Sequence, residues 1–174
     1  TKVYNRTLAK VGSDEIKNDK DIQKGEFGTR RAVLSECTLS GLQSGNDKVS
    51  AGEEVEIKCA ISCRDSIENL VLGFIIRDRF GQDLFGTNSY LKGVKLPSKA
   101  NEFYVATWRF LMNLGPGKYT LTTALHVGPD HTVECLHWKD ATIQFEVAGV
   151  VGDNFTGLCR LTPSLKINRN QKNG

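Results

Sequence analysis

Three histidines, His126, His131 and His137, are the first candidates for chemistry in this 174-residue chain, because imidazole can act as a base, a metal ligand or a hydrogen-bond partner near neutral pH. Their spacing argues against a metal centre. Five residues separate His131 from His137, a spacing that fits no zinc pattern, and no carboxylate run resembles a calcium loop. Asp78 and Asp83 are a possible carboxylate pair, but they flank Gly81 in a segment whose composition is explained by a turn. No GxSxG motif supplies a nucleophile, and no GxxxxGK[ST] loop supplies a phosphate cradle, so neither catalysis nor ATP binding is expected of these residues. Cofactor and metal are both expected to be absent.

A different set of residues suits sugar recognition. That chemistry needs an aromatic surface for the apolar side of a pyranose and polar side chains for its hydroxyls, since a hydroxyl-binding group left unpaired costs about 1–3 kcal/mol. Tyr119 to Val127 alternates as a strand with Tyr119, Leu121, Leu125 and Val127 inward, which sends Thr120, Thr122, Ala124 and His126 outward. If the strand from Leu70 to Arg77 lies beside it, Gly73, Ile75 and Arg77 join the same face. Arg77 and Arg79 offer guanidinium forks to a charged substituent such as a phosphate, or else serve as turn arginines balanced by Asp78 and Asp83. Trp138, in the polar run CLHWKD, is the exposed stacking candidate, with packing over an edge of the fold as the alternative. Trp108 is assigned to the core by alternation. The candidate carbohydrate-binding residues are therefore Arg77, Thr120, Thr122, His126 and Trp138.

These residues must be held by strands. Leu70, Leu72, Phe74 and Ile76 alternate on one face, and Arg77 to Gln82 then turns through Gly81 into a returning strand over Asp83 to Asn88. Glu53 to Cys63 is the clearest alternating strand, with Val55, Ile57, Cys59 and Ile61 on the inner side. Further strands are expected at Ala32 to Leu39, with Val33, Cys37 and Leu39 on one face, at Phe103 to Met112 and at Ala141 to Ala148. A last one is expected through Leu158 to Leu161 and on toward Ile167. Ser40 to Ala51, Leu91 to Asn101 and Gly128 to Asp140 read as loops, the last also as a short hairpin arm. Leu114 to Tyr119 reads as a corner, placing Tyr119 where the tyrosine corner of immunoglobulin-like sandwiches lies. With no helix-period segment of useful length, the pattern predicts an all-β, immunoglobulin-like antiparallel β-sandwich.

Two long motifs carry a family resemblance. GFIIRDRFGQDLFGTNSY from Gly73 to Tyr90 and NLGPGKYTLTTALHVG from Asn113 to Gly128 resemble the C-terminal domain of the ATP-binding subunit of Wzt-type O-antigen polysaccharide exporters, over about Gly25 to Ile167. The resemblance implies a non-catalytic carbohydrate-binding domain, on the cytoplasmic face of the bacterial inner membrane, that selects the often modified non-reducing end of the polysaccharide for export. It also implies a homodimer, an ATPase domain in the full-length subunit and a membrane-spanning transporter partner. The alternative is a dimerisation or structural module that does not touch glycan.

The composition is ordinary, neither that of a disordered chain nor that of a membrane protein. Hydrophobic residues make up 39% and charged residues 25%, no apolar run approaches the ~20 residues of a membrane span, and the formal charge of +3 is too small and too dispersed for nucleic acid. The start, TKVYNRTLAK, lacks the apolar core of a secretory signal, and the five cysteines, spaced like buried strand residues, read as reduced thiols. Residues 1–26 are expected to be a linker or flexible arm, 27–168 the sandwich and 169–174 a polar tail. Within the sandwich, 154–168 is a possible exchanged terminal strand, reached through the glycine-containing connection at 149–153.

Overall fold

The structure, a computed structural model, describes residues 25–168. Most of the expected arm and all of the expected polar tail lie outside the described residues. Nine strands occur among the described residues: β1 (Glu26–Phe27), β2 (Ala32–Gly41), β3 (Lys48–Ala51), β4 (Glu54–Cys63), β5 (Leu70–Arg77), β6 (Asp83–Asn88), β7 (Phe103–Leu111), β8 (Gly117–Val127) and β9 (Glu134–Val150). They form two sheets, ordered β1-β9-β8-β5-β6 and β2-β4-β7. All pairings are antiparallel except that of β3, which runs parallel to the second half of β9. The two short strands β1 and β3 thus cover different stretches of the same edge of β9. The chain is the expected all-β sandwich.

The core between the sheets follows from strand alternation. Val55, Ile57, Cys59 and Ile61 of β4 are fully buried and face Leu70, Leu72, Phe74 and Ile76 of β5 together with Tyr119, Leu121 and Leu125 of β8. Trp108 and Phe110 project inward from β7. Trp108 meets Phe74 edge-on at 5.2 Å, and Phe110 stacks on the same ring at 5.8 Å. The hairpin β5–β6 turns where expected, with Gly81 at a φ of 78° that a side chain would disfavour. The Tyr119 hydroxyl donates a 2.6 Å hydrogen bond to the carbonyl of Gly115, tying β8 to the corner before it.

Four readings of the sequence need correction. A bulge between Leu34 and Glu36 reverses the alternation of β2, so Ala32 and Leu34 share the inner side with Leu39 and Gly41, whereas Val33 does not. The stretch read as a loop from Ser40 to Ala51 contains β3, whose Val49 and Ala51 are buried by pairing with β9. The stretch read as a loop or short hairpin arm from Gly128 to Asp140 contains the first seven residues of the 17-residue β9. The expected last strand is the fourth case. Within 154–168 only an isolated bridge, Leu114 with Cys159, replaces it.

β9 escapes simple pattern reading because it is covered on both faces. His137 points inward, where its Nδ1 accepts the Leu34 amide hydrogen at 2.9 Å, while Cys135 and Trp138 are buried on the opposite side. Burial and the charge of Arg30 push the His137 imidazole down to about 4, which keeps this core histidine neutral.

Candidate functional site

The outer face of the larger sheet has a small apolar cluster of its own. Ala124, Cys135 and Trp138 are buried there, with Phe27 and Ile75 packed against them. Phe27, delivered by β1, stacks on Trp138 at 5.8 Å, and His131, from the loop before β9, meets the same indole edge-on at 5.8 Å. Gly28 makes the approach of β1 possible. It has a φ of 133°, and a Cβ at this position would collide with the backbone of Leu136.

Beside this cluster lies a groove of about 250 Å³. Its floor is formed by Ile75, Ala124 and Trp138, and its polar rim by Thr87, Asn88, His126 and His131, with Leu91 at one side. Two glycines create the depression. Gly73 pairs with Asn88, and Gly86 pairs with Ile75, so neighbouring strands lack side chains just where a Cβ would fill the surface. Asn88 also shapes the wall: its Oδ1 accepts from the Leu91 amide at 2.9 Å and its Nδ2 donates to the Pro129 carbonyl at 3.3 Å. These bonds tie the loop after β6 to the loop before β9 across the groove.

The five candidate residues do not all reach this groove. Trp138 lines it but is only 8% exposed, because Phe27 and His131 cover it; the exposed stacking ring expected from the sequence is instead a buried part of the floor. His126 lines the rim. Its Nδ1 is buried against the backbone of Val127 and Gly128, with no hydrogen bond of good geometry among the described residues. Burial, assisted by nearby His131, pushes this imidazole down to about 4, so a neutral ring faces the groove. Thr120 sits in register between Arg77 and Gln144, outside the lining.

Thr122 lines the groove, whereas Arg77 does not, and the two are committed to each other. Arg77 is 5% exposed, and its guanidinium donates to Asp83, to Asp140 Oδ1 at 2.7 Å and to Thr122 Oγ1 at 2.8 Å. The Thr122 hydroxyl in turn donates to Asp140 at 3.0 Å and accepts the Ala141 amide hydrogen at 3.0 Å. The β-bulge in β9 explains this arrangement. Between Lys139 and Ile143 the register with β8 shifts, Ala141 adopts a φ of 46°, and Asp140 is re-aimed at Arg77. Of the two readings of Arg77, a fork for a charged substituent or an arginine balanced by neighbouring acids, the geometry matches the second, with Asp83 and Asp140 as the acids.

Sequence reading missed Thr87, Asn88, Leu91 and His131. A signal for the site was present nonetheless in Gly73 and Gly86, two glycines inside strand patterns, which mark a close approach or an open surface. Among the described residues no group of three His, Cys, Asp or Glu side chains is placed to hold a metal ion. Among the described residues no helix is long and apolar enough to cross a membrane.

Comparison with known proteins agrees with this architecture. A crystal structure of the C-terminal domain of Wzt superposes with a TM-score of 0.70 at 18% identity, covering 89% of this chain and 98% of that one; at such identity it speaks to fold. The CARDB domain of a Pyrococcus furiosus protein, solved in complex with di-metal ions, gives a TM-score of 0.37 at 13% identity, covering 71% of this chain and 97% of that one, too low a score to support any argument. No curated protein matches. The family model of the Wzt C-terminal domain matches residues 23–161, which contain every strand and the whole groove, and the chain belongs to that family.

Proposed function

We propose that this domain is a non-catalytic carbohydrate-recognition module that binds the end of an O-antigen polysaccharide and selects it for export by a Wzt-type transporter. The observation that carries the reading is the groove itself: an apolar floor of Ile75, Ala124 and Trp138 beneath a rim of amide, hydroxyl and imidazole groups. Such a surface suits a pyranose, which has an apolar side and a ring of hydroxyls. At about 250 Å³ the groove is smaller than the ~300–1,000 Å³ of drug-sized pockets, so it suits the terminal unit of a chain better than a long stretch. In the full-length subunit, an ATPase domain and a membrane-spanning partner at the cytoplasmic side of the inner membrane would complete the exporter.

The test is titration of the isolated domain with its cognate polysaccharide, followed by NMR or calorimetry. Ala124→Phe places a ring in the groove from the floor, and it should abolish binding while the circular-dichroism spectrum stays that of a folded β protein. Unchanged affinity in the folded variant would overturn the assignment of the groove.

A dimeric role is the second reading, and it is compatible with the first. The apolar side chains after Arg160 favour it: Leu161, Leu165 and Ile167 are 76%, 88% and 78% exposed. Side chains of this kind are normally covered, and a second copy of the chain offers an equivalent surface.

A further inference from the structure

The geometry points to an uncharged sugar unit as the occupant of the groove, seated by its apolar side on Ile75, Ala124 and Trp138, with phosphorylated, sulfated or carboxylated units excluded. This inference rests on the glycan-binding reading and adds the chemical class of the ligand. Among the described residues, the lining contains no carboxylate, ammonium or guanidinium group. Lys139, next to Trp138 in sequence, is directed at the Leu34 carbonyl (3.4 Å) and Glu26 (3.8 Å), and Arg77, two positions beyond Ile75 on the outer side of β5, has its guanidinium taken up by Asp83, Asp140 and Thr122. To bind an anion it would have to break charge-assisted bonds to two carboxylates that are already in place.

The remaining polar groups point the same way. His126 is held neutral by burial, and Asp130, close enough to act electrostatically on His126, would repel an incoming anion. Apart from the rim imidazole of His131, which packs edge-on against Trp138, an anionic substituent would find no counter-charge for the hydration it loses, whereas a neutral hydroxyl or amide can exchange water for the rim groups at little cost. Discrimination thus comes mainly from the penalty imposed on the wrong ligand.

The experiment is a glycan array probed with the wild-type domain and with Ala124→Phe in parallel. It should include neutral hexosides, deoxyhexosides and N-acetylhexosaminides beside the corresponding uronic acids, sulfates and phosphates. The expected result is a set of neutral ligands lost in the variant, each bound about tenfold or more tightly than its anionic counterpart and little affected by salt. Anionic ligands that bind best and are lost in Ala124→Phe would overturn the charge assignment while leaving the groove as the binding site. Ligands retained by the folded variant, or no ligand at all, would overturn the groove reading and this inference together.

Discussion

Arg77 shows how a residue chosen for recognition can instead be structural. The sequence places it correctly on the outer side of β5, yet the fold surrounds it with Asp83, Asp140 and Thr122 and leaves its side chain 7% exposed. Replacing it with methionine removes a buried cation from two carboxylates. The expected loss of stability is about 2–3 kcal/mol, below the ~3–5 kcal/mol for breaking a fully buried pair, because Asp83 remains 44% exposed and water can solvate it. Urea denaturation of Arg77→Met should detect this, and a loss within error of zero would show that the network does not support the fold. Glu53 is a comparable case on the other side of the molecule. Burial raises its carboxyl, but amide hydrogens of Gln43, Ser44 and Ser50 prevail and hold it below the ordinary value, so an acid in a sequence of alternating strand residues becomes the anchor of a turn.

At the scale of elements, strands buried on one face were legible and those buried on two faces, or supported by a neighbour, were not. β4 alternates cleanly because one side faces the core and the other faces solvent. β3 is four residues long and gains its place only by pairing with β9, whose own first half is a polar-looking sequence covered outside by the Phe27 and His131 rings and inside by β2. The corner before β8 was legible because its chemistry is local: Tyr119 lies four residues after the carbonyl that it binds. Tyr119→Phe keeps the ring and leaves the Gly115 carbonyl unpaired, so it should cost about 1–2 kcal/mol in chemical denaturation with an unchanged denaturant slope. A neutral substitution would mean that water or another donor satisfies that carbonyl.

For the whole molecule, the closing segment is the least settled by the single chain. Phe155 packs against the core and Arg160 holds the carbonyls of Val151 and Asp153, so the segment is docked as far as Arg160; beyond it the apolar residues lie open. Dimerisation through residues 161–168 predicts a dimer in light scattering for the intact domain and a folded monomer after truncation at Arg160. A monomeric intact domain would refute the dimer, and a truncated dimer would refute the role of the segment. The sequence by itself determined the sandwich, its hairpin at Gly81, the tyrosine corner and the inner and outer faces of β5 and β8, because these depend on a period of two and on turn chemistry within a few residues. Only the tertiary structure decided the site. Asp140 reaches Arg77 through a bulge 63 residues away, and Asn88, His131 and Trp138 converge from three separate segments, placements set by strand register and loop docking to which no local pattern corresponds.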